Sequence, residues 1–483
     1  MKALTKEEAL KIYHSGPEAV VKILCELSAS VERLEERVYE LENRLAQNSR
    51  NSSKPPSSDG YQKPMTQSLR EKSTRAPGGQ PGHDGHTLKM VDDPQRIEWH
   101  KVEGVCACGE SLLNQRAEDI ERRQVFDIPK IQMAVTEHRV EIKICRQCGQ
   151  MHKGKFPDEV KIYAQYGERI KALIIYLRNY QLLPSQRTAE LCQELFSCSI
   201  SEGTLDTFLR EGSDRLQEPV EQIKEQIKKS SVVHFDETGV SIKGNNQWLH
   251  SASTKDFTHY TVHIKRGAQA MNAIGILPEF QGTAVHDSLA SYFQYSCQHS
   301  LCNAHHLREL TFIDEEFQQP WAGEMIRCLL NIKHSVEEAK SELKEHLSQD
   351  QIQYYKNVYQ MILEKGYQTN PLKSFPDGNR TRGRPKKGKA RCLVQRLDEH
   401  REKVLAFMTD FKIPFDNNLA ERDIRMAKVQ QKISGTFRSE EMAHAFCRIR
   451  SFISTVRKRT FNLMDAIETI FTNSSALSKI VAV

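Results

Sequence analysis

Apolar residues recur along this chain with two different periods. Near the N-terminus Leu24, Leu27, Val31, Leu34, Val38, Leu41 and Leu45 follow a 3-4-3-4-3-4 spacing. Charged residues such as Glu32, Arg33, Glu35, Glu36, Arg37 and Glu42 lie between them. This heptad seam predicts that residues 1–48 form a coiled-coil oligomerisation helix; the alternative is an amphipathic helix packed on its own domain. From residue 229 the pattern changes. Val232-Val233-His234-Phe235 is an apolar run ending at Asp236, and 246–253 is short, apolar and aromatic. In 258–264 Tyr260, Val262 and Ile264 alternate with polar residues, as a half-buried strand does. Residues 268–277 have helix-forming composition, and Gly282 opens a strand that ends at Asp287. Three strands, a helix and a fourth strand place Asp236 and Asp287 on strands that can be neighbours in one sheet over 229–312. Both carboxylates then stand at strand carboxyl ends, facing the crevice where open α/β sheets bind ligands. The plainer use of each aspartate is to end a strand and start a turn.

Helical patterns fill most of the remainder. Residues 161–228 are expected to be helical, with three helices over 166–212. One opens at Pro184-Ser185-Gln186-Arg187 and ends near Phe196; a turn at Ser199-Ile200-Ser201-Glu202-Gly203 leads into another from Thr204. That spacing suits a helix-turn-helix whose second helix enters a major groove, and equally an ordinary helical hairpin. Helical patterns over 321–347, 351–365 and 390–411 predict an α-helical insertion across 313–412. Residues 413–460 return to the core, and 461–483 form a C-terminal helix. In Asp416-Asn417-Asn418-Leu419-Ala420-Glu421-Arg422, Asn418 is a candidate helix cap and Glu421 its capping-box partner. Asp423 would lie about 200° around that helix from Glu421, so the two cannot face the same partners.

Composition adds constraints. A chain of 483 residues holds several domains, and a net charge of +6 makes it mildly basic. There is no apolar run of eighteen residues and no signal-peptide core, so a cytoplasmic protein without a membrane partner is expected. The Asn/Ser/Pro-rich stretch within 49–95 cannot bury much apolar surface and predicts a flexible linker. Twelve scattered cysteines favour free thiols and a metal site over disulfides. Cys106-Ala107-Cys108-Gly109 and Cys145-Arg146-Gln147-Cys148-Gly149 are two close pairs with β-like sequence between them. Four thiolates bind Zn²⁺ tetrahedrally, which makes 96–160 a zinc-binding module, with His152 as an alternative ligand. Cys302-x-x-His305 offers only two ligands and reads as a packing pair near the active site. Arg380-Thr381-Arg382-Gly383-Arg384-Pro385-Lys386-Lys387-Gly388-Lys389 is similar to an AT-hook, which lies in a narrow minor groove. Arg422, Arg425, Lys428, Lys432, Arg438, Arg448, Arg450, Arg457, Lys458 and Arg459 follow Glu421 and suit a phosphate track.

Two carboxylates on strands and a third on a later helix is how an RNase H-like fold holds two Mg²⁺ ions over a phosphodiester. The expected fold is therefore α/β, an RNase H-like core interrupted by the helical insertion and preceded by coiled coil, linker, zinc module and helical DNA-binding region. The chain resembles the DDE transposases of the insertion-sequence-66 (IS66) type over nearly its whole length. The resemblance rests on Gln47-Asn48-Ser49-Arg50-Asn51-Ser52-Ser53-Lys54-Pro55-Pro56-Ser57-Ser58-Asp59 and on Gly78-Gly79-Gln80-Pro81-Gly82-His83. It continues in Asp236-Glu237-Thr238, His286-Asp287, Cys302-Asn303-Ala304-His305 and Asn417-Asn418-Leu419-Ala420-Glu421-Arg422. One departure is the single residue between Cys106 and Cys108, where the family pattern leads one to expect two. The resemblance implies that Asp236, Asp287 and Glu421 are the catalytic, Mg²⁺- or Mn²⁺-binding acids. It implies cleavage of double-stranded DNA at the element's terminal repeats and strand transfer into target DNA. A homodimer or larger homo-oligomer, accessory proteins of the same element and a bacterial, nucleoid-associated setting follow as expectations. The rival readings are a catalytically silent DNA-binding regulator and a nuclease of the same fold that cuts without joining.

Overall fold

The computed structural model describes residues 5–52, 59, 87–372, 388–472 and 474–482. A short helix, Lys6–His14, starts with a Thr5–Glu8 capping box and leads into Pro17–Leu45, where the seam residues Leu24 through Leu45 stay exposed. The end of this helix is anchored. The Tyr39 ring stacks on Phe317 at 6.0 Å, and Arg50 pairs with Glu315. Where the sequence predicts the start of a flexible linker, Asn51 is buried instead. Its side chain accepts the Asn48 N–H at 2.8 Å and donates to the Ala46 carbonyl at 3.1 Å. Asparagine and serine side chains bonding to nearby backbone make a folded turn possible without apolar mass. Most of the linker, including Gly78 to His83, lies outside the described residues.

Beyond residue 87 comes an exposed module with one hairpin, β1 (Ile142–Ile144) paired antiparallel to β2 (Met151–Lys153). The other β-like positions of that module, such as Val135 and Val140, are not in strands. The helical region follows as Glu168–Ile175, a π-helical turn Tyr176–Tyr180, then Ser185–Phe196, Glu202–Arg215 and Gln217–Lys228. The Glu202–Arg215 helix buries Leu205, Phe208 and Leu209. Its outer face carries Glu202, Thr207, Arg210 and Asp214, with Arg210 held by Glu441 at 2.9 Å. Exposed acids and arginines are mixed on this face, which leaves the helix-turn-helix and the helical-hairpin readings both open.

The central sheet contains β3 (Val232–Ile242), β4 (Asn245–Ser253), β5 (Thr258–His263), β6 (Thr283–His286) and β7 (Gln298–Leu301) in the order β5-β4-β3-β6-β7. β3, β4 and β5 form an antiparallel meander, while β6 and β7 run parallel to β3. β3 does not stop at Asp236 as the apolar run suggests. It pairs with β4 as far as Ile242, whereas its pairing with β6 stops at His234 opposite Val285. Asp236 is thus mid-strand towards β4 but just past the last pair towards β6. Gly282 is required where β6 begins, because a Cβ there would lie 2.5 Å from the Ser231 carbonyl.

The pleat of β3 sorts its side chains. Val233 and Phe235 join a core with Ile223, Ile449, Phe452 and Ile453. Val240 and Ile242 face the other way, onto Ile424 and Ala427 of the helix Asn418–Ser434. Asp236 shares their parity, so it points towards that helix. The edge strand β5 is covered by the helix Glu440–Lys458, whose Ser451 and Thr455 hydroxyls accept the Tyr260 and Thr258 N–H groups at 2.8 and 3.2 Å. An edge capped in this way is closed to another strand.

Between β7 and the Asn418–Ser434 helix, the insertion is helical as expected. It comprises Asn303–Glu316, Pro320–Ser341, Gln349–Thr369, Lys389–Glu399, Arg401–Val404 and Ala406–Thr409. It has its own core around Trp321, Leu329, Tyr359, Leu397 and Phe407. The stretch 390–411 is three short helices rather than one. The C-terminal region forms Leu463–Thr472 and Ser474–Val481. No helix among the described residues is long and apolar enough to cross a membrane.

Candidate functional site

The acids predicted to act together come from three elements: Asp236 from β3, Asp287 from the residue after β6, and Glu421 from the first turn of the Asn418–Ser434 helix. Burial pushes the Asp236 carboxyl well above the ordinary carboxylate range, and the charges of Glu237, Asp287 and Glu421 push it further. Asp236 thus feels the other three charges, although among the described residues Asp236, Asp287 and Glu421 are not gathered into one ligand shell. Asp287 and Glu421 keep about a quarter of their side-chain surface, 25% and 24%, so the cluster opens to solvent on one side.

One buried residue fixes the helix over the strand. Asn417 donates from its side-chain amide to the Phe235 carbonyl at 2.8 Å, which turns its Oδ1 towards His234 Nδ1, also at 2.8 Å. His234 Nδ1 must then carry the hydrogen, since an amide oxygen only accepts. Burial lowers the affinity of His234 for a second proton, so the ring stays neutral. The Asn417 backbone N–H donates to Cys302 Sγ at 3.2 Å. β3, the end of β7 and the start of the glutamate-bearing helix are joined through this single asparagine.

The capping-box reading of Asn418 and Glu421 is overturned. The helix begins at Asn418, whose N–H is accepted by Asp416 at 3.0 Å, and no side chain caps from Asn417. Glu421 is free of the helix start and faces His305 Nδ1 and Arg308 Nη2, each at 3.7 Å. Cys302 and His305, expected to pack near the active site, do stand beside it. Cys302, His305 and Glu421 each present a ligand atom, all within 4.8 Å of one another. Burial pushes the Cys302 thiol up to about 12.

Sequence reasoning missed the opposing cations. Arg266 donates to Glu237 at 2.8 Å, approaches Asp287 at 3.8 Å and lies over the Trp248 ring at 4.9 Å. Tyr292 donates to the other Glu237 oxygen at 2.7 Å. No periodic signal marks Arg266, which sits in a turn after β5. Asp423, on another side of the same helix, is engaged elsewhere. It accepts from Ser253 Oγ at 2.7 Å, Thr258 Oγ1 at 3.1 Å and Lys458 Nζ at 2.6 Å.

That pair also corrects the phosphate track. Lys458 is buried with Asp423, Arg450 donates to the Asn179 carbonyl at 3.0 Å, and Arg448 donates to Ser213 Oγ at 2.9 Å. Arg459 binds the Ile480 and Ala482 carbonyls, and Lys428 binds the Gly239 carbonyl. Arg422, Arg425 and Lys432 remain exposed along the helix that carries Glu421. The AT-hook-like residues Arg382, Arg384, Lys386 and Lys387 lie outside the described residues.

In the cysteine module each pair sits in a tight knuckle. Gly109 and Gly149, at φ +93° and +74°, donate to the carbonyls of Cys106 and Cys145, both at 2.8 Å. The backbone N–H of Cys108 lowers the Cys106 thiol, and that of Cys148 lowers Cys145. Donor chemistry and turn geometry fit zinc within each pair. Among the described residues the two pairs are not gathered into one ligand shell. His152 lies on β2 opposite Lys143.

Residues 163–445 match the Transposase IS66 family, a span that includes the whole sheet, the insertion and all three acids. The chain belongs to the IS66 transposase family. Residues 103–149 match the zinc-finger binding domain of transposase IS66, and residues 5–89 match a family of unknown function (DUF6444). No curated protein matches the chain. Membership makes this a DNA-processing protein of transposition with a zinc-finger domain ahead of an α/β core.

Proposed function

We propose that this IS66 family member cleaves DNA at the ends of an insertion sequence and transfers the freed 3′-hydroxyl into target DNA, using Asp236, Asp287 and Glu421 on an RNase H-like core. The observation that carries the reading is the convergence of those acids. Burial first, and then the charges of Glu237, Asp287 and Glu421 from distant parts of the sequence, oppose ionisation of Asp236, with Arg266 beside Asp287 and Arg308 beside Glu421 as neighbouring cations. Crowded carboxylates are poised for cations of higher charge. Asp236, Asp287 and Glu421 would hold Mg²⁺ or Mn²⁺, which supplies Lewis acidity to the attacking and leaving oxygens of a phosphodiester. Asn417 holds the helix so that Glu421 faces β3, and Arg266 braces Glu237 against Asp287. Arg422 and Arg425 would carry the DNA backbone past the acids, with Arg382, Arg384, Lys386 and Lys387 in the minor groove. The sheet order, two parallel strands beside an antiparallel meander, supports the same core. Incubation with labelled element ends and Mg²⁺ tests the function: joined products are expected. Nicks without joining would indicate a nuclease, and neither product a regulator.

Two modules would serve this chemistry. Four thiolates from Cys106, Cys108, Cys145 and Cys148 would close on one Zn²⁺. With nearly every side chain of the module exposed, the metal would supply folding free energy that no apolar core provides. One zinc per chain is expected to copurify, and Cys145→Ser to lose it and make 100–155 protease-sensitive. Metal analysis of unchelated protein that finds no zinc refutes this. The exposed Leu24–Leu45 seam would pair with a second copy. Leu34→Lys places a charge in that seam, and the intact chain is expected to sediment as a smaller species than wild type. A wild-type monomer at micromolar concentration rules out the pairing.

A further inference from the structure

Cys302, His305 and Glu421 belong to two elements. Cys302 immediately precedes the helix Asn303–Glu316, His305 lies in the first turn of that helix, and Glu421 comes from the helix that Asn417 pins beside it. Cys-x-x-His at a helix start sets a sulfur and an imidazole side by side, and the fold adds a carboxylate. The three ligand atoms lie within 4.8 Å of one another. Two of them, His305 Nδ1 and Glu421 Oε1, are closed to solvent and have no hydrogen-bond partner, although only 3.7 Å separates them. Buried polar atoms are nearly always satisfied, so two facing orphans beside a thiol call for a shared ligand.

The donor set says which ligand. Mg²⁺ takes oxygen, whereas a mixed sulfur, nitrogen and oxygen set with one position left for water is the pattern of zinc-class cations. The second shell is also present, since the Asn417 N–H points at Cys302 Sγ at 3.2 Å and orients the sulfur. We propose that Cys302, His305 and Glu421 form a site for a thiophilic divalent cation, separate from the cysteine module and distinct in chemistry from the oxygen ligands around Asp236. Binding displaces the thiol proton to solvent. Because Glu421 is common to both sets, zinc here draws it from the strand acids and opposes their chemistry. That consequence, unlike the binding, rests on the function proposed above.

Cobalt tests the binding without DNA. Full-length protein with zinc in its cysteine module is titrated with Co²⁺, and thiolate-to-cobalt charge-transfer absorption is read. A band saturating at one cobalt per chain is expected in the zinc-loaded protein, and absent in Cys302→Ser. Serine can still accept the Asn417 N–H, so the fold should persist, which circular dichroism checks. His305→Gln keeps the thiol and is expected to weaken cobalt binding at least about tenfold. A band indifferent to both Cys302→Ser and His305→Gln overturns the site. The functional reading fails separately. Glu421→Gln with normal strand transfer defeats that reading and leaves the cobalt result standing.

Discussion

Glu421→Gln is expected to give a folded, DNA-binding protein that neither cleaves nor joins. Its stability should hardly move. Glu421 caps nothing, because Asp416 serves the Asn418 N–H, and its ionic neighbours His305 and Arg308 stand at 3.7 Å without a direct hydrogen bond. A partly exposed pair of that kind contributes at most about 1 kcal/mol. Activity is another matter. Metal-held charge stabilisation is worth several kcal/mol in a phosphoryl transition state, and each 1.36 kcal/mol is tenfold in rate. Loss of one of three carboxylate charges should therefore slow both steps by on the order of a thousandfold. DNA affinity and its salt dependence should persist, since the exposed cations Arg422 and Arg425 are untouched. Near-normal strand transfer by this variant would show that the third ligand is elsewhere.

The apolar runs before Asp236 and Asp287 made the neighbouring strands β3 and β6 legible, because buried strands need continuous apolar stretches. β7 was not legible. Gln298-His299-Ser300-Leu301 holds one aliphatic residue and is a strand only because β6 offers it a partner. The residues that complete the site were hidden for a related reason. Arg266, Tyr292 and Arg308 lie near the acids through tertiary contacts that no spacing encodes. Asn417 stood inside a recognisable motif, yet its role depends on His234, Phe235 and Cys302 arriving around it. The basic run misled because charge does not reveal burial. In Glu440–Lys458 the residues Ala443, Phe446, Ile449, Phe452 and Val456 surround the basic positions with apolar neighbours. A helix apolar on so many sides is largely buried, and its Arg448, Arg450 and Lys458 are drawn to carbonyls, Ser213 and Asp423 rather than to phosphates, while Arg457 stays exposed beside Tyr180.

Lys458→Met is accordingly expected to destabilise the core without weakening DNA binding. Lys458 Nζ donates to Asp423 at 2.6 Å and to the Thr254 carbonyl at 2.9 Å, and the ionic side chains retain only 13% and 16% of their surface. Removing one partner of a buried pair leaves an uncompensated charge, which costs about 3–5 kcal/mol; the residual exposure puts this case near the lower end. Asp423 would keep the Ser253 and Thr258 hydroxyls, but these carry no charge. Adding Asp423→Asn removes the stranded carboxylate, so the double variant should recover much of the loss, and a double-mutant cycle should show coupling above about 1 kcal/mol. Thermal unfolding measures the first effect, and the salt dependence of DNA affinity measures the second. A phosphate contact predicts the opposite pair of results: an unchanged melting temperature, with a salt slope reduced by about one. That outcome would return Lys458 to the DNA face and take Asp423 out of the core.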